Sequence, residues 1–494
     1  MKKYFPGKNL GDKYSHCKKI TCWLLAVLLS GSMCCGCSGT TETVTEAVSE
    51  AVEGAEGSGQ AGDENPAQSG DENSAQNEGG SVKKTDEDDS GSTGSADGTE
   101  AGAASGNMGQ DNEEGTETTG RRDPVKVKGI YVSGPVAGIA KMDTLIDLVD
   151  QTELNAMVID IKNDEGKVTY QMQSEQVLEI DAGVGYIKDI DELVSKCKEK
   201  DIYLIARIVA FRDPYLAEQK PEWAVHTKDG EIFRDKSGMA WVNPYEREVW
   251  DYLAEIALQA AYAGFDEIQF DYIRFSTDIR EEEVDYGTES ENVDKIEIIT
   301  QFTEYMYKKL MPQGVYMSAD VFGTVIDNET DQAIVGQDYV RMAQHLDYIC
   351  PMVYPSHYYS GSYGISIPDA EPYNTIYAAA SSSAEELKAV SEEDCAHVRL
   401  WLQSFTASWV PGHISYGREQ IRAQIKGAYD AGYDEWILWN AAVNYQPEAF
   451  LTEEEAEAEK AVWDAERQEI ERQKAEEQED GRQAAQPETV SGNE

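Results

Sequence analysis

Two aspartates stand inside apolar segments that otherwise resemble buried strands. Asp271 lies in the segment Glu267–Phe275, and Asp320 lies in Tyr316–Phe322. Burying an ionised carboxyl group costs free energy unless the group is paired or serves a chemical purpose. Glycoside hydrolysis needs two carboxyl groups that flank one bond, one as the acid and the other as the nucleophile or base. We therefore predict that Asp271 and Asp320 form the catalytic pair of a glycoside hydrolase.

Either aspartate could instead serve only as the partner of an arginine. Arg207 and Arg274 occur in segments of the same kind. An arginine close to a carboxyl group keeps that group ionised, whether or not the pair has a catalytic role. Asp160, in another apolar segment, has three open roles: the second catalytic carboxylate, an acceptor for a sugar hydroxyl, or a structural partner of Arg207.

Substrate contacts are expected from polar and aromatic side chains near the ends of these segments. Flat aromatic rings suit the C–H faces of pyranose sugars, although tryptophans that anchor a core or a loop are the alternative. Seven aromatic residues lie in loops or at strand ends: Trp223, Trp241, Tyr354, Tyr358, Tyr359, Trp409 and Trp439. The predicted substrate-binding residues are Asp160, Arg207, Trp241, Arg274, Tyr354, His357, Gln403, Trp439 and Asn440.

Eight short apolar segments between residues 123 and 450 alternate with helical patterns. Continuous apolar segments are typical of strands buried on both faces of a parallel sheet. Eight strand–helix units predict a (β/α)8 TIM barrel of the α/β class. A doubly wound sheet is the rival, but no glycine-rich dinucleotide-binding turn follows the first strand. The predicted strands are Lys128–Ser133, Ala156–Lys162, Tyr203–Val209, Glu267–Phe275, Tyr316–Phe322, Tyr348–Tyr354, Arg399–Phe405 and Glu435–Asn440.

A TIM barrel would bring the candidate residues together, because its active site lies at the C-terminal ends of the strands. Asp271 and Asp320 would then end the neighbouring fourth and fifth strands. Carboxyl groups on such strands can approach to the roughly 5–5.5 Å of a retaining enzyme. The helix before the fourth strand is expected to be capped by Asn243, to have Pro244 at its first position and to end at Gly264.

Several motifs resemble a known bacterial family, the "putative glycosyl hydrolase domain", which is a domain of unknown function. The motifs are Lys128–Val132, Trp241–Tyr245, Gly264–Phe275 and Pro351–Ser356, and the segment Gly264–Phe275 is the most specific of them. The resemblance spans about residues 125–450, the whole predicted barrel. It implies a TIM barrel that is similar to amylase and α-galactosidase barrels at a distance.

The resemblance also implies roles for particular aspartates. In amylase-like and α-galactosidase-like barrels an aspartate that ends the fourth strand is the nucleophile, which here falls on Asp271. The amylase-like acid ends the fifth strand, which falls on Asp320, although glutamate is usual there. The galactosidase-like acid ends the sixth strand, where this chain has no carboxylate. The two patterns therefore agree on the position of the nucleophile and differ on the position of the acid.

The first 37 residues have the pattern of an export signal. Six lysines precede the apolar run Ile20–Leu29, and small residues and cysteines follow in Gly31–Cys37. The run is too short for a comfortable membrane span. Gly36 before Cys37 resembles a lipoprotein cleavage site, so we predict lipidation of Cys37 and anchoring outside the cytoplasm. Cys34 stands where such motifs usually carry leucine, and simple secretion or an uncleaved anchor are the alternatives.

Charged and polar segments flank the predicted barrel. Residues 38–122 form an acidic Gly/Ser/Glu linker that is expected to be disordered, and residues 451–494 form a charged tail with a solvated helix. The chain carries 42 Lys and Arg against 93 Asp and Glu, a net charge of −51. Such an acidic chain disfavours nucleic-acid binding. The expected partners are an oligosaccharide or polysaccharide and a membrane, and the expected assembly is a monomer.

Other chemistries lack their sequence patterns. The chain has neither His-x-His nor His-Glu-x-x-His, no nucleophile elbow, and no phosphate-binding glycine loop. The cysteines after Cys37, namely Cys197, Cys350 and Cys395, have no metal-ligand spacing. We therefore expect neither a metal nor a cofactor. Two other hypotheses stay open: a glycan-binding lipoprotein without catalysis, and a cell-envelope scaffold whose C-terminal helix recruits a partner.

Overall fold

The computed structural model describes residues 124–391 and 393–484. The expectations for the signal segment 1–37, for Cys37 and for the linker 38–122 therefore lie outside the described residues. Among the described residues, no helix combines the length and apolar character needed to cross a bilayer.

Eight parallel strands close into a barrel. Each strand pairs with the next around the barrel, and the last also pairs with the first. This confirms the predicted (β/α)8 TIM barrel. The strands are β1 (Lys128–Val132), β2 (Ala156–Lys162), β3 (Tyr203–Val209), β4 (Glu267–Asp271), β5 (Tyr316–Phe322), β6 (Tyr348–Met352), β7 (Leu400–Gln403) and β8 (Trp436–Trp439).

Helices follow or precede the strands along the chain. They bury one apolar face: in the helix Lys295–Leu310, for example, Ile298, Phe302 and Met306 are buried. The helices are α1 (Gly134–Ala137), α2 (Lys141–Asp150), α3 (Glu175–Glu179), α4 (Ile190–Lys198), α5 (Pro214–Gln219), α6 (Arg247–Tyr262), α7 (Lys295–Leu310), α8 (Glu329–Val335), α9 (Tyr339–Ala343), α10 (Pro372–Leu387), α11 (Arg418–Asp430) and α12 (Glu453–Ala484).

The expected start of α6 is wrong by about one turn. The helix begins at Arg247 rather than at Pro244, and its N-cap is Glu246. Asn243 instead closes a tight turn: its side-chain oxygen accepts from the amide of Tyr245, and its carbonyl accepts from the amide of Glu246. Asparagine favours both helix caps and such turns, so the residue type alone did not separate the two.

A buried ion network closes the N-terminal end of the barrel. Arg399 donates to both carboxylate oxygens of Glu267 at 2.8 and 2.9 Å, and to Glu435 at 3.1 Å. Arg399 also donates to the carbonyl of Val125. The hydroxyl of Tyr348 bonds the same carbonyl. The chain that enters β1 is thus fixed at the end of the barrel opposite the candidate site.

The C-terminal helix α12 is attached to the barrel by charged side chains and by the ring of Trp463, without a continuous apolar stripe. Glu459 pairs with Arg422 of α11, and Arg422 also bonds Glu153. Arg467 donates to the carbonyl of Tyr429 at 3.0 Å. The predicted charged helix is therefore present, and its first half packs on α11.

Candidate active site

Asp271 ends β4 and receives three hydrogen bonds. Arg207 of β3 donates to its Oδ2 through Nη2 at 2.6 Å and through Nε at 3.0 Å. The backbone amide of Tyr272 donates to its Oδ1 at 2.6 Å. Two of these bonds come from a guanidinium, and all three favour the ionised carboxylate. Asp271 is therefore suited to act as an anion.

The backbone turns sharply directly after Asp271. Tyr272 has a φ of 52°, in the left-handed region that side chains with a Cβ rarely adopt. Strained residues of this kind cluster at active sites, where the surrounding structure holds them. Tyr272 is held by its ring, which is buried, and by its hydroxyl, which accepts from Arg212 at 3.1 Å. The turn aims the Tyr272 amide at the Asp271 carboxylate.

Asp320 lies on β5, directly beside Asp271 on the adjacent strand β4. The register pairs Phe270 with Ala319, so the next residues, Asp271 and Asp320, follow side by side. Asp320 is 1% exposed. Its Oδ1 accepts from Nε1 of Trp401 at 2.6 Å.

The two carboxyl groups have opposite electrostatic surroundings. Burial raises the pKa of Asp320 well above its ordinary value, and the charge of Asp271 raises it further. The Trp401 hydrogen bond and the charge of Arg207 lower the pKa of Asp320 only in part. Pairs of groups driven toward different protonation states are the pattern of an acid and a base in one site. Burial and the neighbouring charge thus favour the protonated form of Asp320, whereas the donors around Asp271 favour its ionised form.

Arg207 joins a third carboxyl group to the site. Its Nη1 donates to Oδ1 of Asp160 at 2.8 Å and to Asp164 at 3.3 Å. The hydroxyl of Tyr131 donates to Oδ2 of Asp160 at 2.5 Å. Burial raises the pKa of Asp160 to about 6, against the lowering effect of the Arg207 charge. Both carboxylate oxygens of Asp160 are thus engaged by neighbouring strands.

An aromatic wall lies beside Arg207. The ring of Trp439 is 4.1 Å from that of Tyr131 and 5.7 Å from that of Trp401, measured between centroids. The Arg207 guanidinium lies 5.3 Å from the Trp439 ring. Trp439 is the partly exposed member, whereas Tyr131 and Trp401 are buried. Trp439 is thus the ring of this wall that can meet a ligand.

Sequence reasoning missed Tyr131 and Trp401. Both lie within strands rather than after them, so their aromatic character indicated only a core position. Side chains two residues apart in a strand share a face, so Trp401 shares a face with the predicted site residue Gln403. This alternation could have indicated that Trp401 points toward the site. The same rule places Tyr131 beside Asp160 only once the register of β1 and β2 is known.

Arg274 and Trp241 meet on the far side of Tyr272. The Arg274 guanidinium lies 4.8 Å from the Tyr272 ring, 5.2 Å from the Trp241 ring and 4.2 Å from the Phe322 ring. Trp241 is 3% exposed, and its Nε1 donates to Asp235 at 3.0 Å. The indole N–H of Trp241 is therefore already hydrogen-bonded within the protein. Contact of Trp241 with substrate stays a prediction.

Gln403 and Asn440 both organise loops. Gln403 is buried: its Oε1 accepts from the amide of Ser356 at 3.0 Å, and its Nε2 donates to Asp369 at 3.0 Å. Asn440 donates to the carbonyls of Ser404 and Asn444. The structure assigns both amides structural bonds, and the predicted substrate contacts stay untested.

Tyr354 and His357 lie after β6 beside a pocket. Their rings are 5.1 Å apart. The pocket is lined by Phe322, Gly323, Thr324, Met352, Tyr354, His357 and Tyr358. In the described part of the chain, no group of three or more His, Cys, Asp or Glu side chains is arranged to hold a metal ion.

Comparison with known proteins gives a family for this barrel. The sequence model of the family described as "Putative glycosyl hydrolase domain" matches residues 129–445. No curated protein matches the chain.

Three solved structures illustrate the proteins to which the fold of this chain is similar. A hypothetical protein from Ruminiclostridium thermocellum is 38% identical, with 39% of this chain and 97% of that chain covered and a TM-score of 0.36. The PgaB (BpsB) glycoside hydrolase domain from Bordetella bronchiseptica is 13% identical, over 64% and 94% of the two chains, with a TM-score of 0.48. The α-galactosidase TtGalA from Thermus thermophilus is 12% identical, over 70% and 63%, with a TM-score of 0.42.

Proposed function

The chain belongs to the family described as "Putative glycosyl hydrolase domain", and we propose that it cleaves an oligosaccharide or polysaccharide by a retaining mechanism. Asp271 is the nucleophile, and Asp320 is the general acid and base. The observation that carries this proposal is the contrast between the two neighbours. Three donors favour the ionised form of Asp271, whereas burial beside that charge favours the protonated form of Asp320.

In the first step, Asp271 attacks the anomeric carbon and forms a covalent glycosyl–enzyme ester. Asp320 gives its proton to the glycosidic oxygen as the bond to the leaving group breaks. Trp401 is a donor only, so its bond to Oδ1 of Asp320 directs the proton to Oδ2. In the second step, Asp320 takes a proton from water, and the resulting hydroxide releases the sugar from Asp271.

Arg207 and Asp160 position the nucleophile rather than react. Arg207 holds Oδ2 of Asp271 through two donors, which leaves Oδ1 with the Tyr272 amide. Asp160, which accepts from the hydroxyl of Tyr131, in turn fixes the guanidinium. On this proposal Trp439 stacks against a sugar ring, and Tyr354 and His357 contact the substrate from the loop after β6.

The decisive experiment replaces the nucleophile in the full-length chain. Asp271→Asn should lower turnover of a reactive aryl glycoside by roughly 10⁴-fold, the scale of removing one catalytic group, while oligosaccharide affinity persists. Asp271→Ala with added azide should form a glycosyl azide of inverted configuration, detected by NMR, because azide attacks in a single displacement from the face that Asp271 vacates. Asp434→Asn is the matched control, because Asp434 pairs with Lys126 at the opposite end of the barrel. Unchanged turnover in Asp271→Asn contradicts the proposal.

A second candidate function is glycan binding without hydrolysis. The small exposure of the two carboxyl groups, 6% for Asp271 and 1% for Asp320, favours it, because a substrate has little access to them in this conformation. This alternative predicts measurable oligosaccharide affinity with no reducing ends released by the unmodified chain. A reducing-end assay beside a binding assay on the same glycan panel separates the two functions.

We further propose that the protein acts outside the cytoplasm as a lipoprotein anchored through Cys37. The support is the export pattern of the first 37 residues. Metabolic labelling with a palmitate analogue should mark the full-length chain in the membrane fraction. Cys37→Ser should abolish the label and Cys197→Ser should retain it, because Cys197 is buried in α4. Labelling that survives Cys37→Ser contradicts this assignment.

A further inference from the structure

Four aromatic rings contact one another in turn on the loops after β6 and β7, from the buried Tyr354 through the half-buried His357 and Phe405 to the exposed Trp409. The ring of Tyr354 lies 6.0 Å from that of Phe405, and the ring of His357 lies 6.5 Å from it. Phe405 in turn stacks on Trp409, with centroids 6.0 Å apart and planes 20° from parallel. We call Tyr354, His357, Phe405 and Trp409 the aromatic shelf. Its outer member, Trp409, is 60% exposed.

The aromatic shelf adjoins the candidate catalytic pair. Tyr354 and His357 line the pocket described above, together with Phe322. Phe322 lies two residues beyond Asp320 on β5, so the two side chains share a face and are about 7 Å apart along the strand. Phe322 and the pocket thus connect the Asp320 end of β5 with the inner members of the shelf, and Trp409 lies at its outer end.

The two loops that carry the shelf contain no permanently charged side chain. Residues 352–368 and 405–417 include no Asp, Glu, Lys or Arg, although the chain as a whole has 93 acidic and 42 basic residues. A surface for an anionic sugar would need a cationic partner. Hydroxyl and amide groups with flat rings instead suit an uncharged sugar, whose C–H face stacks on the ring.

We propose that the aromatic shelf is a second sugar-binding subsite that stacks an uncharged pyranose, so that the substrate is an extended neutral saccharide chain. The proposal takes its ligand class from the proposed glycoside hydrolase function. The saccharide chain would run from the catalytic pair over the loops after β6 and β7. Trp409 would then stack on a sugar several units from the bond that breaks. An enzyme that removes a single terminal sugar has no need of such a surface.

The test measures binding, so that it does not depend on catalysis. Full-length protein and its Trp409→Ala variant, each carrying Asp271→Asn, are titrated calorimetrically with neutral oligosaccharides of two to six sugars. The series are gluco-, galacto- and N-acetylglucosamine-based, with oligogalacturonates as the anionic comparison. We expect Trp409→Ala to weaken binding of the longer neutral chains by roughly tenfold, as for loss of one aromatic contact. Disaccharide affinity should change little.

Two variants control for indirect effects. Trp409→Phe keeps a flat ring and should restore most of the affinity. Tyr262→Ala removes another exposed aromatic ring, 66% exposed at the end of α6, and should bind as the parent does. Thermal unfolding of all variants checks that the fold is retained.

The proposal is overturned if no neutral series binds, if affinity does not rise with chain length, or if Trp409→Ala binds every length as the parent does. A preference for oligogalacturonates overturns the neutral ligand class. Loss of a dimer in Trp409→Ala, measured by light scattering, would assign the shelf to contact between two copies and also overturns it. Failure of the hydrolase proposal is distinguished separately, by the absence of reducing ends from the unmodified chain.

Discussion

Arg207 has an unusual concentration of partners for one side chain. It is 1% exposed and contacts three carboxylates, those of Asp160, Asp164 and Asp271. Removing one partner from a buried ion pair is strongly destabilising, because the remaining charge is left uncompensated. The guanidinium therefore affects both the stability of the fold and the state of the nucleophile.

Arg207→Met should lose both activity and stability. We expect a decrease of about 3–5 kcal/mol in the free energy of unfolding, the cost of breaking a buried pair, and at least a hundredfold lower turnover at a temperature where the variant is folded. Urea unfolding and aryl-glycoside kinetics measure the two effects. Arg341→Met is the control: its pair with Glu297 is 41% exposed on each side and should be worth about 1 kcal/mol or less. Equal losses in both variants would contradict this account.

Trp401 sets the pH range of the proposed acid. Its hydrogen bond lowers the pKa of Asp320, because the bond favours the ionised carboxylate. Trp401→Phe removes the donor, so the pKa of Asp320 should rise. Activity requires the protonated acid and is lost as the pH rises through that pKa, so the basic limb of kcat should move upward by roughly 1–2 pH units.

The pH profile of kcat measures this shift. Trp250→Phe is the matched control, since Trp250 is also buried and donates through Nε1, but to the carbonyl of Pro244. Its basic limb should stay in place. A basic limb that moves down in Trp401→Phe would show that Asp320 is not the proton donor.

At the scale of elements, the positions of all eight strands could be predicted from sequence, and the ends of only some of them. The segments Ala156–Lys162, Tyr203–Val209 and Tyr316–Phe322 were predicted with the bounds that the structure has. The fourth strand was predicted to run to Phe275, but it ends at Asp271 because Tyr272 adopts a positive φ. An apolar sequence does not reveal such a turn, since it is imposed by contacts with other strands.

The candidate site was predictable to a similar degree. The prediction that a barrel gathers strand-end residues at one face needed only the order of strands, and it set Asp271 and Asp320 side by side. The partners of each aspartate depend on register and rotamer. The contacts of Trp401 with Asp320 and of Tyr131 with Asp160 therefore could not be predicted from the sequence. The structural hydrogen bonds of Gln403 could not be predicted either.

Gly323, in the turn after β5, tests the tight packing around the pocket. A Cβ there would lie 2.5 Å from the hydroxyl oxygen of Tyr358 and 2.7 Å from the carbonyl of Met352. Gly323→Ala should therefore destabilise the fold by about 1–3 kcal/mol, as overpacking does, and should raise KM. Gly185→Ala is the control, because nothing lies within 4 Å of its Cβ. Denaturant unfolding measures the free energy of unfolding of both variants. Equal values for the two variants would contradict the tight packing around Gly323.

At the scale of the whole molecule, α12 is part of the folded unit. Arg422 is 7% exposed and depends on Glu459 of α12 for one of its two carboxylate partners. The ring of Trp463 packs 6.0 Å from that of Tyr429. These contacts join the C-terminal helix to α11 beside the last barrel strands.

Ending the chain at Thr452 should lower the free energy of unfolding by roughly 1–3 kcal/mol, because Arg422 loses a partner and α11 loses its cover. A chain that ends at Arg472 retains these contacts and is the control. Differential scanning calorimetry compares the two. If both truncations unfold at the temperature of the full chain, α12 is a tail without a structural role, as the scaffold hypothesis requires.

Two hydrogen bonds to the carbonyl of Val125 fix the place where the chain enters the barrel. Arg399 and Tyr348 hold it at the closed end of the barrel, while Asp271 and Trp409 belong to the other end. The chain therefore enters the barrel at the end opposite Asp271 and Trp409. This entry takes up no room at the mouth of the barrel, where a long polymer would have to approach Asp271 and Trp409.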